Sequence, residues 1–206
     1  MKNFNDKKVY LVTDYRLPFE ELMEKVEKAL KSGVKLIQYR DKNVDTKIMC
    51  DRALKLLNLC KKYDAIFLVN DRVDVALAVD AHGVHLGQDD MDCAIARKLL
   101  GKNKIIGVST KTLEESKKAL ADGADYLGCG AIYSTSTKDT SVISIEALKE
   151  IKENIPLFIY GIGGINTSNI TNEFKEVLDG VAVITAILNS NDIEKEVRKF
   201  NEIFYV

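Results

Sequence analysis

Two strand-like runs in this chain end in acids. Ile66-Phe-Leu-Val69 runs into Asn70-Asp71, and Gly83-Val-His-Leu86 runs through Gly87-Gln88 into Asp89-Asp90. A strand that ends in polar groups presents them at one rim of a sheet. Only the stretch from Val73 to Asp80 separates the two runs, so as parallel neighbours they would set Asp71 against one of the later acids across a short gap. A small number of carboxylates suits Mg²⁺, which keeps waters and bridges to phosphate oxygens. Spacing does not separate Asp89 from Asp90, and either acid can instead cap the helix that starts near Asp92.

Other strand ends carry complementary groups. In Gln38-Tyr39-Arg40-Asp41-Lys42, alternation puts Gln38, Arg40 and Lys42 on one side. An amide, a forked guanidinium and an ammonium converging there make a grip for a polyanion, the bland alternative being a solvated rim. Ser109 ends another strand, where its hydroxyl either holds a phosphate or begins a turn. The stretch from Ile132 to Thr140 is rich in hydroxyls around Lys138. That chemistry suits a phosphate or carboxylate, and the length suits a lid; a plain polar loop is the alternative. Gly161-Ile-Gly-Gly-Ile165 allows a ligand close to the backbone, and Ile184-Thr185 follows the last strand. His85 shares a strand face with Gly83 and Gly87, opposite Val84 and Leu86, and reads as a packed, hydrogen-bonded histidine rather than a general base. His82 reads as a surface or turn residue. No Ser-His-Asp or Cys-His arrangement suggests acyl chemistry.

The elements that position these groups alternate. Strands are expected at Val9–Thr13, Lys35–Arg40, Ala65–Val69, Gly83–Leu86, Lys104–Ser109, Asp125–Cys129, Leu157–Tyr160 and Gly180–Ile184. Helical spacing or capping signals place helices at Phe19–Ser32, Thr46–Tyr63, Val73–Asp80, Asp92–Leu100, Thr112–Asp122, Ile145–Asn154, Asn169–Leu178 and Asp192–Phe204. Asp92 is a candidate cap, and Thr112 with Glu115 a capping box. Strict alternation implies parallel strands with helical crossovers. An open doubly wound sheet gathers its site at one switch point, whereas a closed barrel spreads it over many strand ends. Polar groups follow seven of the eight strands, which favours an α/β fold of the (β/α)₈ TIM-barrel type. With 206 residues it is expected to be a single domain, 1–206, of minimal length.

Net charge is −1 and charges of both signs are mixed, so neither a nucleic-acid nor a membrane-surface partner is expected. No apolar run reaches the ~18 residues of a transmembrane helix, and the first residues lack an apolar signal core, so a cytoplasmic location is expected. Cys50, Cys60, Cys93 and Cys129 form no Cys-x-x-Cys pair and are read as reduced packing residues.

Taken together, Gln38-Tyr-Arg-Asp-Lys42, Val69-Asn-Asp71, Gly83-Val-His-Leu-Gly-Gln-Asp-Asp90, Gly107-Val-Ser109, Gly123-Ala-Asp-Tyr-Leu-Gly128, Thr135-Ser-Thr-Lys138 and Gly161-Ile-Gly-Gly-Ile165 make the chain resemble the thiamine-phosphate synthase family. The motifs span the chain in family order. The resemblance implies a transferase that joins an aminopyrimidine methyl diphosphate to a thiazole phosphate, with loss of pyrophosphate through a stabilised pyrimidine cation. It implies that Gln38, Tyr39, Arg40, Asp41, Lys42, Asn70, Ser109 and Lys138 hold the pyrimidine diphosphate, with Arg40, Lys42, Ser109 and Lys138 catalytic. It implies one Mg²⁺ on Asp71 and Asp90, leaving Asp89 to cap or order the turn. Thr135, Ser136, Thr137, Gly163 or Gly164, Ile184 and Thr185 would hold the thiazole phosphate. Its small-molecule substrates would be its partners; a homo-oligomer is compatible with the sequence, and the sequence leaves open whether the thiazole carries an extra carboxylate. Departures from the family pattern are Ala131 for a usual proline, Thr110-Lys111 for a frequent Ala-His, and Thr185 for a common serine. A thiazole tautomerase on the same barrel, or a non-catalytic phosphate-binding barrel, are the alternatives; the Gln38/Arg40/Lys42 set, the acid pair and Lys138 argue against the first, and the metal acids with the lid lysine against the second.

Overall fold

Eight parallel strands pair in chain order, and the last hydrogen-bonds back to the first, closing a barrel. They are β1 (Val9–Val12), β2 (Leu36–Tyr39), β3 (Ile66–Asn70), β4 (Gly83–Leu86), β5 (Ile105–Thr110), β6 (Tyr126–Gly130), β7 (Phe158–Ile162) and β8 (Gly180–Val183). Around them run α1 (Phe19–Lys31), α2 (Thr46–Lys62), α3 (Val73–Ala78), α4 (Cys93–Leu100), α5 (Leu113–Ala121), α6 (Ile145–Asn154), α7 (Asn172–Val177), α8 (Thr185–Leu188) and α9 (Ile193–Phe204). This computed structural model describes residues 2–134 and 141–204.

Alternation along each strand divides the core in two. Outward residues, among them Leu11, Ile37, Tyr39, Val69, Val84, Leu86 and Val108, pack against the helix layer. Inward residues form a second cluster of Tyr10, Val12, Leu36, Leu68, Ile105, Tyr126, Tyr160 and Ala182. The helices present matching stripes: in α1 the buried residues are Leu22, Val26, Ala29 and Leu30, the spacing of one helical face. Their starts are set by local chemistry. The Asp92 carboxylate accepts from the amides of Ala94 and Ile95, and the Thr112 hydroxyl accepts from the amide of Glu115. Glu115 reaches back one residue further than a capping box requires, to the amide of Lys111 at 2.6 Å.

Three features depart from the sequence expectation. Phe4, ahead of β1, is buried and plugs the barrel floor, with its ring centroid 5.3 Å from Tyr126 and 5.7 Å from Phe158. A four-residue helix, α8, follows β8, giving nine helices among the described residues. One turn is too short for its periodicity to be read. Finally, α7 starts at Asn172 rather than Asn169, because Thr171 is its cap and Asn169 instead closes the preceding turn onto Asn166. Cys60, Cys93 and Cys129 are buried, Cys50 half-buried, and all four are free thiols; burial pushes the Cys60 thiol up to about 12. No helix of the described residues is long and apolar enough to cross a membrane.

Candidate active site at the barrel mouth

The C-terminal ends of the strands open into a cavity of about 540 Å³. Such a rim is where barrel enzymes keep their chemistry, because the loops that vary sit on strands that do not move. Gln38, Arg40, Lys42, Asn70, Asp71, Asp90, Ser109, Gly163, Gly164, Ile184 and Thr185 all line it. Residues 135–138, with Thr135, Ser136, Thr137 and Lys138, lie outside the described residues.

Strand register explains the assembly. Val12 pairs with Gln38, Asn70 with His85, and Ser109 with Gly128, so groups far apart in sequence share one level of the barrel. Arg40 is anchored through its backbone: the Thr13 hydroxyl accepts from its amide at 2.9 Å and lies 3.3 Å from its carbonyl. Its guanidinium is stacked over Tyr15, 5.5 Å from the ring centroid.

Asp71 takes a left-handed backbone conformation, φ 60°, one that aspartate tolerates better than most residues. Its amide donates to the carbonyl of His85 at 2.9 Å, fixing it against β4. Its carboxyl is pushed up to about 6, first by burial and then by the adjacent Asp90; Lys42, with its ammonium 3.8 Å away, opposes the rise. Two adjacent, partly buried carboxylates that disfavour both being charged could serve as donors to a hard divalent cation. Among the described residues no group of three or more acidic, histidine or cysteine side chains surrounds a common point. A cation here would take its remaining ligands from waters and a bound phosphate, the habit of Mg²⁺.

The turn-ordering task expected of Asp89 falls to Asp90, which also stays beside Asp71. Asp90, not Asp89, orders the turn: its Oδ2 accepts from the amide of Gly87 at 2.7 Å. Asp89 is exposed and merely lines the cavity, because Asp92 already caps α4. Two more residues need correcting. Tyr39 points outward, as alternation next to Gln38 demands, and is packed under the helices with its hydroxyl 3.1 Å from Asp41. Asp41 has a 4% exposed side chain that receives Arg52 at 2.8 Å. Neither lines the cavity; this pair braces the β2 rim against α2.

On the opposite side, Gly163 and Gly164 have φ values of 100° and 64°. A Cβ on either would sit 2.6 Å from Ala131 Cβ or 2.7 Å from Tyr133 Cβ respectively, so the loop after β7 lies directly on the loop after β6. Amide to carbonyl bonds from Ile132 to Ile162 and from Tyr133 to Gly163 join the two. Gln88, Lys111 and Glu115 also line the cavity, though the sequence marks none of them as a site residue: Glu115 stands out only in a capping box and Lys111 only as a departure from the family pattern. Gln88 closes the β4–β5 rim by donating to the Ser109 carbonyl at 2.7 Å.

Comparison with known proteins gives one answer. Residues 9–187 match the family described as thiamine monophosphate synthase. The thiamine-phosphate synthase of Clostridium perfringens strain SM101 is 55% identical over 206 residues, covering 98% of this chain and 99% of that one. The thiamine-phosphate synthase of Clostridioides difficile is 48% identical over 195 residues, covering 94% and 93%. A solved structure of thiamine phosphate pyrophosphorylase from Pyrococcus furiosus superposes with a TM-score of 0.88 at 41% identity, covering 98% of each chain. With a match that runs from β1 to α8 and relatives aligned along nearly their whole length, the chain belongs to the thiamine monophosphate synthase family.

Proposed function

We propose that this chain is a transferase that forms thiamine phosphate from 4-amino-2-methyl-5-(diphosphooxymethyl)pyrimidine and 4-methyl-5-(2-phosphooxyethyl)thiazole, or its carboxylated form, releasing pyrophosphate. The observation that carries this reading is that Arg40 and Lys42 line one cavity with the Asp71–Asp90 carboxylates, with Lys42 3.8 Å from Asp71. Cations alone would serve any phosphate; acids beside them serve a diphosphate that arrives with a metal.

Asp71 and Asp90 would hold one Mg²⁺, which when bound neutralises charge on the leaving diphosphate. Arg40 and Lys42 bind the diphosphate oxygens and stabilise the charge that develops as the methylene carbon–oxygen bond breaks. The bonding pair leaves with pyrophosphate, and the thiazole nitrogen lone pair forms the new carbon–nitrogen bond. Gln38, Asn70 and Ser109 hold the pyrimidine. Gly163, Gly164, Ile184 and Thr185 offer backbone and hydroxyl groups to the thiazole phosphate, on the β7–β8 side where barrels of this type commonly bind one. Lys138 and the hydroxyls of 135–137 would complete the grip and exclude water from the cation.

The test is direct. Incubated with both substrates and Mg²⁺, the protein forms thiamine phosphate and pyrophosphate in equal amounts. Tautomerisation of a carboxylated thiazole with no coupled product would assign the barrel to the isomerase reading instead.

A further inference from the structure

A line of hydrogen bonds crosses the barrel interior beneath the cavity. The Gln38 amide nitrogen donates to the Tyr10 hydroxyl. Tyr10 Oη lies 2.8 Å from Tyr126 Oη, Tyr126 Oη 2.9 Å from His85 Nδ1, and His85 Nε2 2.9 Å from Ser109 Oγ. Both ends, Gln38 and Ser109, line the cavity. Both phenols are among the largest fully buried side chains, and burial pushes their ionisation upward, so each carries its single proton.

One proton per phenol makes this line directional. An amide NH₂ donates only. The arrangement that gives every proton on the line a partner has Tyr10, which accepts from Gln38, donating to Tyr126. Tyr126 gives its own to His85 Nδ1. His85 therefore carries its proton on Nε2 and donates it to Ser109 Oγ, so the Ser109 proton is left for another acceptor. With its nitrogen held by Tyr10, Gln38 has its carbonyl oxygen left for a ligand. The cavity thus meets an acceptor on the β2 side and a donor on the β5 side. Reversing one end requires turning every proton between them.

The fold is shaped to keep this line. A Cβ on Gly107 would lie 2.0 Å from Tyr126 Cζ, so only glycine there admits the ring. Tyr10 and Tyr126 meet edge to face, with centroids 5.8 Å apart.

We propose that Tyr10 and Tyr126 are positioning residues for substrate specificity: through His85 they hold Gln38 as acceptor and Ser109 as donor, so that the site selects a pyrimidine bearing an exocyclic amino group over one bearing an oxo group. This deepens the function proposed above and rests on it for the identity of the ligand. An oxo group would set oxygen against the oxygen of Gln38, and the amide could turn only by reversing four residues' protons, a cooperative penalty.

Two measurements test it. In ¹⁵N NMR of the substrate-free protein at neutral pH, His85 is expected as the Nε2–H tautomer. An Nδ1–H tautomer or an imidazolium would overturn the directional line, whatever the enzyme turns over. Next, kcat/KM is measured for the aminopyrimidine diphosphate and its oxo analogue in wild type, Tyr10→Phe, Tyr126→Phe and Tyr160→Phe. The amino-to-oxo ratio is expected to fall about 10-fold or more in the first two variants. Tyr160→Phe should leave it unchanged: Tyr160 belongs to the same aromatic layer, but its hydroxyl donates to the Lys7 carbonyl. Because a ratio cancels any loss of folded protein, an unchanged ratio in Tyr126→Phe would overturn the specificity role. If wild type couples no thiazole at all, the function falls, while the tautomer still decides the line.

Discussion

The two ends of this barrel are built to opposite rules. At the floor, Phe4, Tyr10, Tyr126 and Tyr160 fill the interior at ring separations of 5.1 to 6.3 Å. Among the described residues no buried side-chain nitrogen or oxygen lacks a hydrogen-bond partner. At the mouth, two carboxylates share a pocket, one of them on a left-handed residue, with the Lys42 ammonium 3.8 Å away. Burial stabilises the first arrangement. In the second it raises the cost of charges that a bound diphosphate and its metal would relieve. The floor therefore carries stability and the mouth carries chemistry, and a substitution should report which end it touches.

The largest expected effect is at the mouth. Arg40→Ala should lower kcat/KM for the pyrimidine diphosphate by about 100-fold or more, as for other groups that stabilise a developing negative charge. Thermal denaturation should barely move, since Arg40 is only half-buried and stacked on Tyr15. At the floor the pattern should invert. Phe4→Ala should destabilise by about 3 kcal/mol, read from denaturant unfolding, because its ring fills space between Tyr126 and Phe158 that the barrel cannot close. Its folded enzyme should keep near-normal turnover. Equal losses of turnover in both variants at matched folded fraction would dissolve the distinction between the ends.

A smaller effect sharpens it. Asp71 has its folded pKa raised from 3.8 to about 6, so the native state holds a proton that the unfolded chain releases earlier. The stability this contributes is fully present below pH 3.8 and is lost as pH rises through about 6. Asp71→Asn keeps the shape and suits the left-handed backbone. In metal-free protein it should therefore be more stable than wild type at pH 8, by on the order of 1 kcal/mol, with the difference vanishing near pH 4. A destabilised Asp71→Asn at pH 8 would mean the carboxylate is a structural asset.

Much of the mouth was legible because strand ends declare themselves. An apolar run stopping at Asn70-Asp71 or Ser109 marks a rim, and eight such runs in regular alternation mark a closed barrel. The errors share one cause: a motif is linear, whereas a site is one face of it. Gln38 to Lys42 matched as a block, yet Tyr39 and Asp41 belong to the helix side. Asp89 and Asp90 are adjacent, and only the geometry at Gly87 shows that Asp90, not Asp89, orders the turn. The floor left almost no trace. Nothing in the spacing of Phe4, Tyr10, Tyr126 and Tyr160 reveals that they meet, since their contacts are made across the barrel between segments as much as 156 residues apart, Phe4 to Tyr160.

The central claim, that Asp71 and Asp90 bring the metal to the diphosphate, is tested most directly by titrating Mg²⁺ against the rate of pyrophosphate release. Wild type and Asp71→Ala are compared with both substrates saturating. The account predicts that wild type saturates at low Mg²⁺, while Asp71→Ala is strongly depressed there and recovers in part only at much higher concentration. Superimposable Mg²⁺ curves with equal rates would contradict it and remove the metal from this pair of carboxylates.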